Sequence, residues 1–257
     1  MYQHFRKDEH PFIDQVMSWR TKVEKQFQLK LTDFLDPREQ DIIKTLVGTD
    51  YDDLQLELYG GHRYAEQKRA IIAPFYETIS NEDFEVVLLQ ASFPEQFVSL
   101  SHRDVLGAFL SLGLKRHKLG DIIVGDGQFQ MVVTADISPF VTAQLTKVKH
   151  AKIQLHEKPF ADVLQKQQDW IEHHHVVSSL RLDVVLKEIY NLSRSKSADY
   201  IKSGLVKVNF KQVDHVAFLL QEGDMISVRG KGRSKLMTVN GQTKKEKWKI
   251  NTALLQS

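Results

Sequence analysis

The chain has 257 residues, of which 42% are hydrophobic and 26% are charged, as in ordinary globular proteins, and it contains no cysteine. The lack of cysteine excludes disulfides, thiolate metal sites and thiol nucleophiles, and it fits a reducing cytosol. No apolar run approaches the ~18 residues of a membrane span, and no apolar block follows the charged N-terminus, so neither membrane insertion nor a secretory signal is expected.

Charge is distributed unevenly along the chain. Residues 178–257 contain 15 Lys and Arg against 7 Asp and Glu, a net charge of +8, whereas the first 177 residues contain 20 against 26, a net charge of −6. A basic segment of this size suggests a polyanion partner, while the acidic part leaves room for a protein partner. A solvated basic surface without any partner is the alternative.

Residues 1–77 are predicted to be mainly helical. Apolar residues at helical spacing predict a helix over 11–27, and the segment 35–48 carries an N-cap, an early proline and a closing glycine typical of a second helix. The alternating segment 54–61 predicts a strand, and the pattern of residues 62–72 predicts a return to helix.

Residues 78–157 follow a regular order of elements. The sequence predicts strand 84–91, helix 102–114, strands 121–127 and 128–135, helix 137–148 and strand 151–157. This β-α-β-β-α-β order is that of the ferredoxin-like fold, which also underlies many RNA-recognition domains. Phe129 is the only aromatic residue of the second hairpin strand, so base stacking on this sheet is not favoured.

Residues 158–179 are predicted to be a polar, partly helical connector. Its three consecutive histidines, His173, His174 and His175, resemble a metal-binding tract. Adjacent residues do not converge on one side of a helix or a strand, so no metal site is expected there. No cofactor is expected anywhere in the chain.

Residues 180–257 are predicted to form a separate small domain, in which residues 180–236 make a compact unit and the remainder a basic C-terminal tail. The segment 182–189 predicts a helix, and a second helix begins after Ser193 as its N-cap and ends at Gly204. The alternating segment 205–210 then predicts a strand, followed by a turn and another strand that ends in a basic, glycine-rich stretch. The whole chain is therefore expected to belong to the α+β class.

The start of the second helix has the chemistry of a phosphate site. A helix start presents unpaired backbone N–H groups and partial positive charge, to which serine hydroxyls and basic side chains add here. Such contacts give salt-dependent affinity for a nucleic-acid backbone. The residues expected to bind are Arg181, Ser193, Arg194, Ser195, Lys196, Lys202, Lys207, Asn209, Lys211, Arg229, Lys231 and Arg233. A second RNA surface is considered at His102, Arg103, Lys115, Arg116 and Lys118.

Two groups of motifs resemble known families. The segment RLDVVLKEIYNLSRSKSADYIKSGLVKVNF, followed by EGDMISVRGKGR, resembles the RNA-binding module of the type found in small-subunit ribosomal protein four, which has the alpha-L fold. We call residues 180–257 the alpha-L module. The segments GGHRYAEQKRA (60–70) and LSHRDVLGAFLSLGLKRHKLGDIIV (100–124) resemble the bacterial YlmH family. That family joins an N-terminal region, a ferredoxin-like domain assigned to RNA binding and a C-terminal alpha-L module.

Three short motifs imitate enzyme signatures. HRD (102–104) resembles the protein-kinase catalytic loop but lacks its asparagine, since position 109 is Phe. RSKS (194–197) and RLD (181–183) resemble motifs of class I aminoacyl-tRNA synthetases and pseudouridine synthases, but the corresponding catalytic domains are missing. No acid–base pair or Ser/His/Asp arrangement is recognisable, so no enzymatic activity is expected.

The resemblance implies a cytoplasmic RNA-binding protein with ribosomal RNA and tRNA as partners. Small proteins with the same module recognise large ribosomal subunits blocked by a nascent chain on tRNA. By that kinship the chain is expected to bind large subunits carrying peptidyl-tRNA in the rescue or quality control of stalled translation. Two alternatives stay open, namely an interaction protein of cell division and an RNA-modifying enzyme with an unfamiliar site.

Overall fold

A computed structural model describes residues 5–47, 53–125, 127–164 and 170–255. The chain divides into two compact units, Met1–Lys166 and Gln167–Ser257. The four-part domain division expected from the sequence stays a prediction. No helix among the described residues is both long enough and apolar enough to cross a membrane.

The N-terminal part of the first unit combines two helices with a small sheet. Its elements are α1 (His10–Gln26), β1 (Lys30–Leu31), α2 (Pro37–Val47), β2 (Leu54–Tyr59) and β3 (Arg69–Pro74), with the antiparallel sheet order β1-β3-β2. The predicted α2 start is confirmed, because Asp36 Oδ1 accepts a hydrogen bond from Glu39 N at 2.9 Å while Glu39 Oε2 accepts one from Asp36 N at 3.0 Å. Gly48, predicted as its end, lies outside the described residues.

The helix predicted over residues 62–72 is wrong. Its second half forms β3, which lies between β1 and β2, and all six of its residues are buried. A central strand covered on both faces has a continuous apolar run without alternation. Such a short run does not distinguish a strand from a helix by periodicity.

The second half of this unit has the predicted ferredoxin-like arrangement. Its strands and helices are β4 (Val86–Ser92), α3 (His102–Ser111), β5 (Leu119–Gly125), β6 (Gln128–Thr134), α4 (Ser138–Gln144), β7 (Lys147–Val148), β8 (Ala151–Lys152) and β9 (His156–Lys158). The sheet order is β5-β6-β4-β9 with antiparallel pairing throughout, which places the first and third strands at the centre. The helix predicted over 137–148 ends earlier, because β7 pairs with β8.

Both faces of this ferredoxin-like sheet are covered within the unit. On one face α3 and α4 bury Phe129 in the main core. On the other face Leu88 and Val132 pack against Phe34, from the N-terminal part, and against Phe160, from the short 3-10 helix that follows β9. The N-terminal part and the ferredoxin-like part therefore share buried contacts.

The second unit is a six-stranded antiparallel sheet with two helices on one face. Its elements are β10 (Trp170–Val177), α5 (Leu182–Ile189), α6 (Arg194–Lys202), β11 (Val206–Val208), β12 (Lys211–Gln212), β13 (Met225–Val228), β14 (Gly232–Gln242) and β15 (Trp248–Leu255). The strand order is β10-β15-β14-β13-β11-β12. Leu186 and Ile201 of the helices form one core with Val206, Ile226 and Leu236 of the sheet.

Two segments of this unit differ from the sequence prediction. Residues 170–177 were expected within a partly helical connector, but they form β10, which pairs with β15 along its whole length. Residues beyond 236, expected to be a basic tail, continue β14 and form β15. The pairing joins segments about 80 residues apart, which local patterns do not reveal.

Candidate nucleic-acid interface

The start of α6 is capped as predicted. Ser193 Oγ accepts a hydrogen bond from the backbone N–H of Lys196 at 3.2 Å and lies 3.0 Å from Ser195 Oγ. Ser197 is buried and its hydroxyl donates to the Ser193 carbonyl at 3.2 Å, so it faces inward. The side chains of Arg194, Ser195 and Lys196 are exposed. We call residues 193–196 the helix-start cradle, because it combines a helix N-terminus with hydroxyls and two cations.

A buried carboxylate orients one of these cations. Asp183, in the first turn of α5, accepts hydrogen bonds from Arg181 Nε at 2.9 Å and Nη2 at 3.1 Å, and it lies 3.3 Å from Arg194 Nε. The Asp183 side chain is 2% exposed, whereas that of Arg194 is 68% exposed. Arg194 therefore keeps most of its guanidinium surface available for a phosphate while its Nε is held.

The ionisation of Asp183 depends on these partners. Burial alone would raise the pKa of this carboxyl, but the hydrogen bonds and charges of Arg181 and Arg194 outweigh burial and lower the pKa below its ordinary value of 3.8. From the sequence Asp183 was expected to be a first-turn charge alone, and the structure shows that it also joins the starts of both helices.

The basic turn between β13 and β14 is contacted by Tyr190, which precedes the helix-start cradle by three residues. We call residues 229–233 the basic tip. Tyr190, between α5 and α6, donates from its hydroxyl to Ser234 Oγ at 3.1 Å and lies 3.4 Å from the Gly232 carbonyl. Arg229 and Lys231 in the tip are exposed. One hydroxyl thus joins the connection between α5 and α6 to the first residues of β14.

Lys207 and Arg233 project from the other side of the sheet. Val206 and Val208 point into the core, so Lys207 between them points away from α5 and α6. Lys207 is paired with Ser227, which is paired with Arg233, so the three residues form a row across neighbouring strands. We call this side the outer sheet face. The structure therefore does not place all the predicted contacts on a single surface.

The outer sheet face carries two further basic residues that the sequence reasoning missed. Lys235 follows Arg233 by two positions on β14, and its partner on β15 is Ala253. Lys249 precedes Ala253 by four positions and therefore lies on the same face. The sequence did hold a signal for Lys235, because Arg233 and Lys235 alternate with Ser234, which is buried. This period of two places both basic residues on one face of a strand.

Asn209 was wrongly expected to lie on an exposed strand face. It follows β11 with a left-handed φ of 48° and is 8% exposed. Its Nδ2 donates to Asp224 Oδ1 at 2.8 Å, and its Oδ1 accepts from Met225 N at 2.9 Å. The side chain thus holds the turn before β13, and it has no surface for RNA.

The remaining predicted residues of the second unit are exposed but separated. Lys202 occupies the last turn of α6, and the nine residues of this helix place it about 12 Å from the cradle. A cation at a helix C-terminus also complements the helix dipole. Lys211 lies on the short edge strand β12. These two cations are therefore not grouped with the cradle.

The second RNA surface considered in the first unit is split by the structure. His102 and Arg103 begin α3, whereas Lys115 and Arg116 follow its end, about 15 Å away for a helix of ten residues. Arg116 donates a hydrogen bond to the Leu119 carbonyl. These residues do not form one continuous edge.

Lys118 is bound by acidic partners. Its Nζ lies 2.9 Å from Asp33 Oδ1 and 2.9 Å from Asp136 Oδ2. Burial would lower the pKa of Lys118, but the two carboxylates outweigh burial and raise it. The ammonium stays charged, but two carboxylates balance that charge within the protein. Lys118 is therefore poorly suited to the RNA contact expected from the sequence.

The ferredoxin-like sheet offers no platform for base stacking among its described residues. Phe129 is fully buried on the helix side, in agreement with its expected core role. On the opposite face Gln130 is also fully buried, and it donates to Gln90 Oε1 at 2.8 Å and to the Asp162 carbonyl at 2.9 Å. Bases cannot reach a sheet that is covered on both faces.

The histidine run does not form a metal centre in the described structure. His173 and His175 share one face of β10 with ring centroids 6.1 Å apart, and His174 Nδ1 lies 2.6 Å from Asn251 Oδ1 on the other face. Burial, and then the charge of His173, lowers the pKa of His175. No group of three or more His, Asp or Glu within the described ranges could hold a metal ion.

Comparisons with known proteins agree with this organisation. Residues 80–162 match the family described as "Putative RNA-binding domain in YlmH", and residues 180–226 match the "S4 domain" family. The chain is 44% identical over 250 residues to ribosome-associated protein quality control protein P2 of Bacillus subtilis (strain 168), covering 97% of this chain and 96% of that protein. The chain belongs to the YlmH family. It thus carries an alpha-L domain of a family that binds RNA, as the motifs predicted.

A solved structure of another family member is also similar. The cell division protein YlmH from Streptococcus pneumoniae is 29% identical with a TM-score of 0.56, and the match covers 64% of this chain and 99% of that chain. The family resemblance expected from residues 60–70, 100–124 and the alpha-L module is thereby confirmed, as is the α+β class.

Proposed function

We propose that this YlmH-family protein binds the large ribosomal subunit carrying peptidyl-tRNA and acts there in the quality control of stalled translation. The observation that carries the proposal is the helix-start cradle, in which exposed Arg194 is held by buried Asp183 and lies beside exposed Lys196. A helix N-terminus that carries hydroxyls and two exposed cations is of the kind that holds an RNA backbone. The name of the Bacillus subtilis relative, a ribosome-associated quality control protein, supports the choice of ribosomal RNA and tRNA as partners.

The proposed action is steric and electrostatic. Phosphate oxygens would accept hydrogen bonds from the guanidinium of Arg194, the ammonium of Lys196 and the backbone N–H groups of Arg194 and Ser195. The rigid Asp183 contact to Arg194 reduces the ordering that binding requires. Holding a tRNA in place forms and breaks no covalent bond, so the protein is proposed to act in the cytoplasm without catalysis.

Sedimentation in a sucrose gradient tests this function. A tagged copy of the full chain, expressed in cells, is expected to sediment with free large subunits at moderate salt and to leave those fractions after RNase treatment. Recovery of tRNA in the same fractions supports the peptidyl-tRNA part of the proposal. A position at the top of the gradient with and without RNase would overturn it.

A second candidate function is an interaction role in cell division. It is favoured by the name of the solved relative from Streptococcus pneumoniae, which is called a cell division protein. The net charge of −6 over the first 177 residues offers a surface for a protein partner with a basic face. Association with division proteins that persists after RNase treatment would support this alternative.

A further inference from the structure

The loop between β2 and β3 forms a cleft that the proposed function does not use. The cleft has a volume of about 350 Å³ and is lined by residues 58–63 and by Lys68. It contains the Gly-Gly-His-Arg segment that identified the family but received no role. This loop lies before the region matched to the RNA-binding domain of YlmH, which begins at residue 80.

The two glycines are required by the shape of the loop. A Cβ atom on Gly60 would lie 2.4 Å from the Gln67 carbonyl oxygen, so the two ends of the loop approach too closely for a side chain. Gly61 has φ of +91°, and a Cβ there would lie 2.2 Å from the Phe160 ring. The loop therefore has a defined conformation that other residues do not adopt without strain.

Asp121 of β5 holds the second half of the loop through backbone hydrogen bonds. Its Oδ2 accepts a hydrogen bond from Glu66 N at 2.8 Å, and its Oδ1 accepts one from Gln67 N at 3.0 Å. His62 Nε2 lies 3.4 Å from Asp121 Oδ2 and has no hydrogen-bond partner among the described residues. Asp121 keeps its negative charge, but its oxygens are directed at the two backbone N–H groups and it is not among the residues that line the cleft.

The side chains that line the cleft are cationic. Arg63 and Lys68 carry full charges, His62 adds a third when protonated, and none of the described lining residues is acidic. Neither Arg63 nor Lys68 forms an ion pair within the described structure. Tyr64 is 61% exposed, and the Arg63 guanidinium carbon lies 5.5 Å from the centre of its ring.

We propose that this cleft is a second RNA-binding site, which takes a backbone phosphate between Arg63 and Lys68. Tyr64, exposed beside Arg63, is placed to stack on an adjacent unpaired base. The glycines and Asp121 hold the loop backbone that carries both cations, which favours a phosphodiester over diffuse counterion binding. The inference rests on the proposed function, because it assumes that the natural ligand is RNA.

A charge-matched pair of variants tests the cleft. R63Q/K68Q removes the two cations that line it, and K22Q/K25Q removes two exposed cations from α1 of the same unit. Binding of the full chain to purified large ribosomal subunits and to fluorescein-labelled bulk tRNA is measured over a potassium chloride series. We expect R63Q/K68Q to weaken one of these complexes about tenfold near physiological salt and to lower its salt slope by about 2, with little change in K22Q/K25Q.

The outcomes separate this inference from the proposed function. Equal affinities for R63Q/K68Q and K22Q/K25Q, with a loss in R194A/K196A, would overturn the cleft and leave the helix-start cradle in place. A loss in R63Q/K68Q alone would support the cleft and contradict the cradle. If no variant changes either complex, both proposals fail.

Photocrosslinking of the wild-type chain provides a measurement that needs no variant. After ultraviolet irradiation of its complex with large subunits, mass spectrometry is expected to find a nucleotide adduct on Tyr64. Adducts confined to peptides of the alpha-L module would overturn the cleft as an RNA site. An adduct that forms with free ATP, and is not suppressed by RNA, would assign the cleft to small nucleotides and overturn the RNA assignment.

Discussion

Asp183 Oδ2 lies 3.3 Å from Arg194 Nε, so the first turn of α5 is tied to the first residue of α6. The carboxylate is buried, and it also receives two hydrogen bonds from Arg181. The exposed Arg194 of the helix-start cradle is thus anchored at one nitrogen, while the rest of its guanidinium stays accessible. Fold stability and the proposed phosphate binding therefore depend on one shared ionic group.

Replacing Arg194 and Lys196 together by alanine is expected to weaken RNA binding. The two side chains supply phosphate contacts, so the loss should be about 1–3 kcal/mol with a lower salt slope. The matched control is K244A/K245A, which removes equal charge near the far end of β14, about 30 Å from the basic tip. Equal effects of the two double variants in a salt titration would show that only net charge matters.

Asp183→Asn is expected to destabilise the alpha-L module. The change leaves Arg181 and Arg194 close together without their carboxylate, at a cost of about 1–3 kcal/mol after allowance for the exposure of both arginines. Because folding lowers the pKa of Asp183, its stabilisation is present above the ordinary value of 3.8 and disappears as pH falls through the lowered pKa. Urea unfolding should give a difference in unfolding free energy between the wild type and the variant. This difference should be constant from pH 7 to about pH 5 and shrink in stronger acid. A difference that grows on acidification would contradict this assignment.

Asn209→Ala is expected to affect stability but not RNA affinity. The variant removes the hydrogen bonds to Asp224 and Met225, and alanine is less suited to a φ of 48°. The expected loss is about 2 kcal/mol of unfolding free energy. Below its unfolding temperature, the folded variant should bind RNA with the affinity of the wild type. A weakened complex in the folded protein would restore Asn209 as a contact residue.

Lys118→Ala is expected to leave RNA binding unchanged. Asp33 and Asp136 already balance its charge, so the ammonium adds little to the field outside the protein. Thermal unfolding should instead show a modest loss, about 1 kcal/mol, because the half-buried Asp33 and the exposed Asp136 both lose a partner. Arg103→Ala is the comparison, since that side chain is exposed. A fall in affinity for K118A equal to that for R194A/K196A would contradict the observed pairing.

Local signals explain which elements the sequence predicted well. Ser193 and Gly204 bound α6 through contacts with their own neighbours, and Gly204 adopts the expected left-handed φ of +68°. The order of elements in residues 78–157 indicated a ferredoxin-like fold without fixing its topology, and the observed strand order agrees with it. The helix-start cradle was identified for the same reason, as it lies within four consecutive residues.

Features that depend on distant segments were not predictable in this way. The polar run of three histidines gives no strand signal, and it becomes β10 only because β15 offers backbone partners. The burial of Asn209 requires Asp224, which is 15 residues away, and the anchoring of Arg194 requires Asp183 on another helix. The covered face of the ferredoxin-like sheet depends on Phe34, from a different part of the chain. Each case needs tertiary contacts that no single window of sequence contains.

The most direct measurement compares two kinds of purified large ribosomal subunits as ligands of the full chain. One carries peptidyl-tRNA and the other is empty, and both are titrated at the same moderate salt concentration. We predict tighter binding to the subunit with peptidyl-tRNA, and we predict that R194A/K196A reduces this preference. Equal affinity for the two subunits, or binding to neither, would contradict the account.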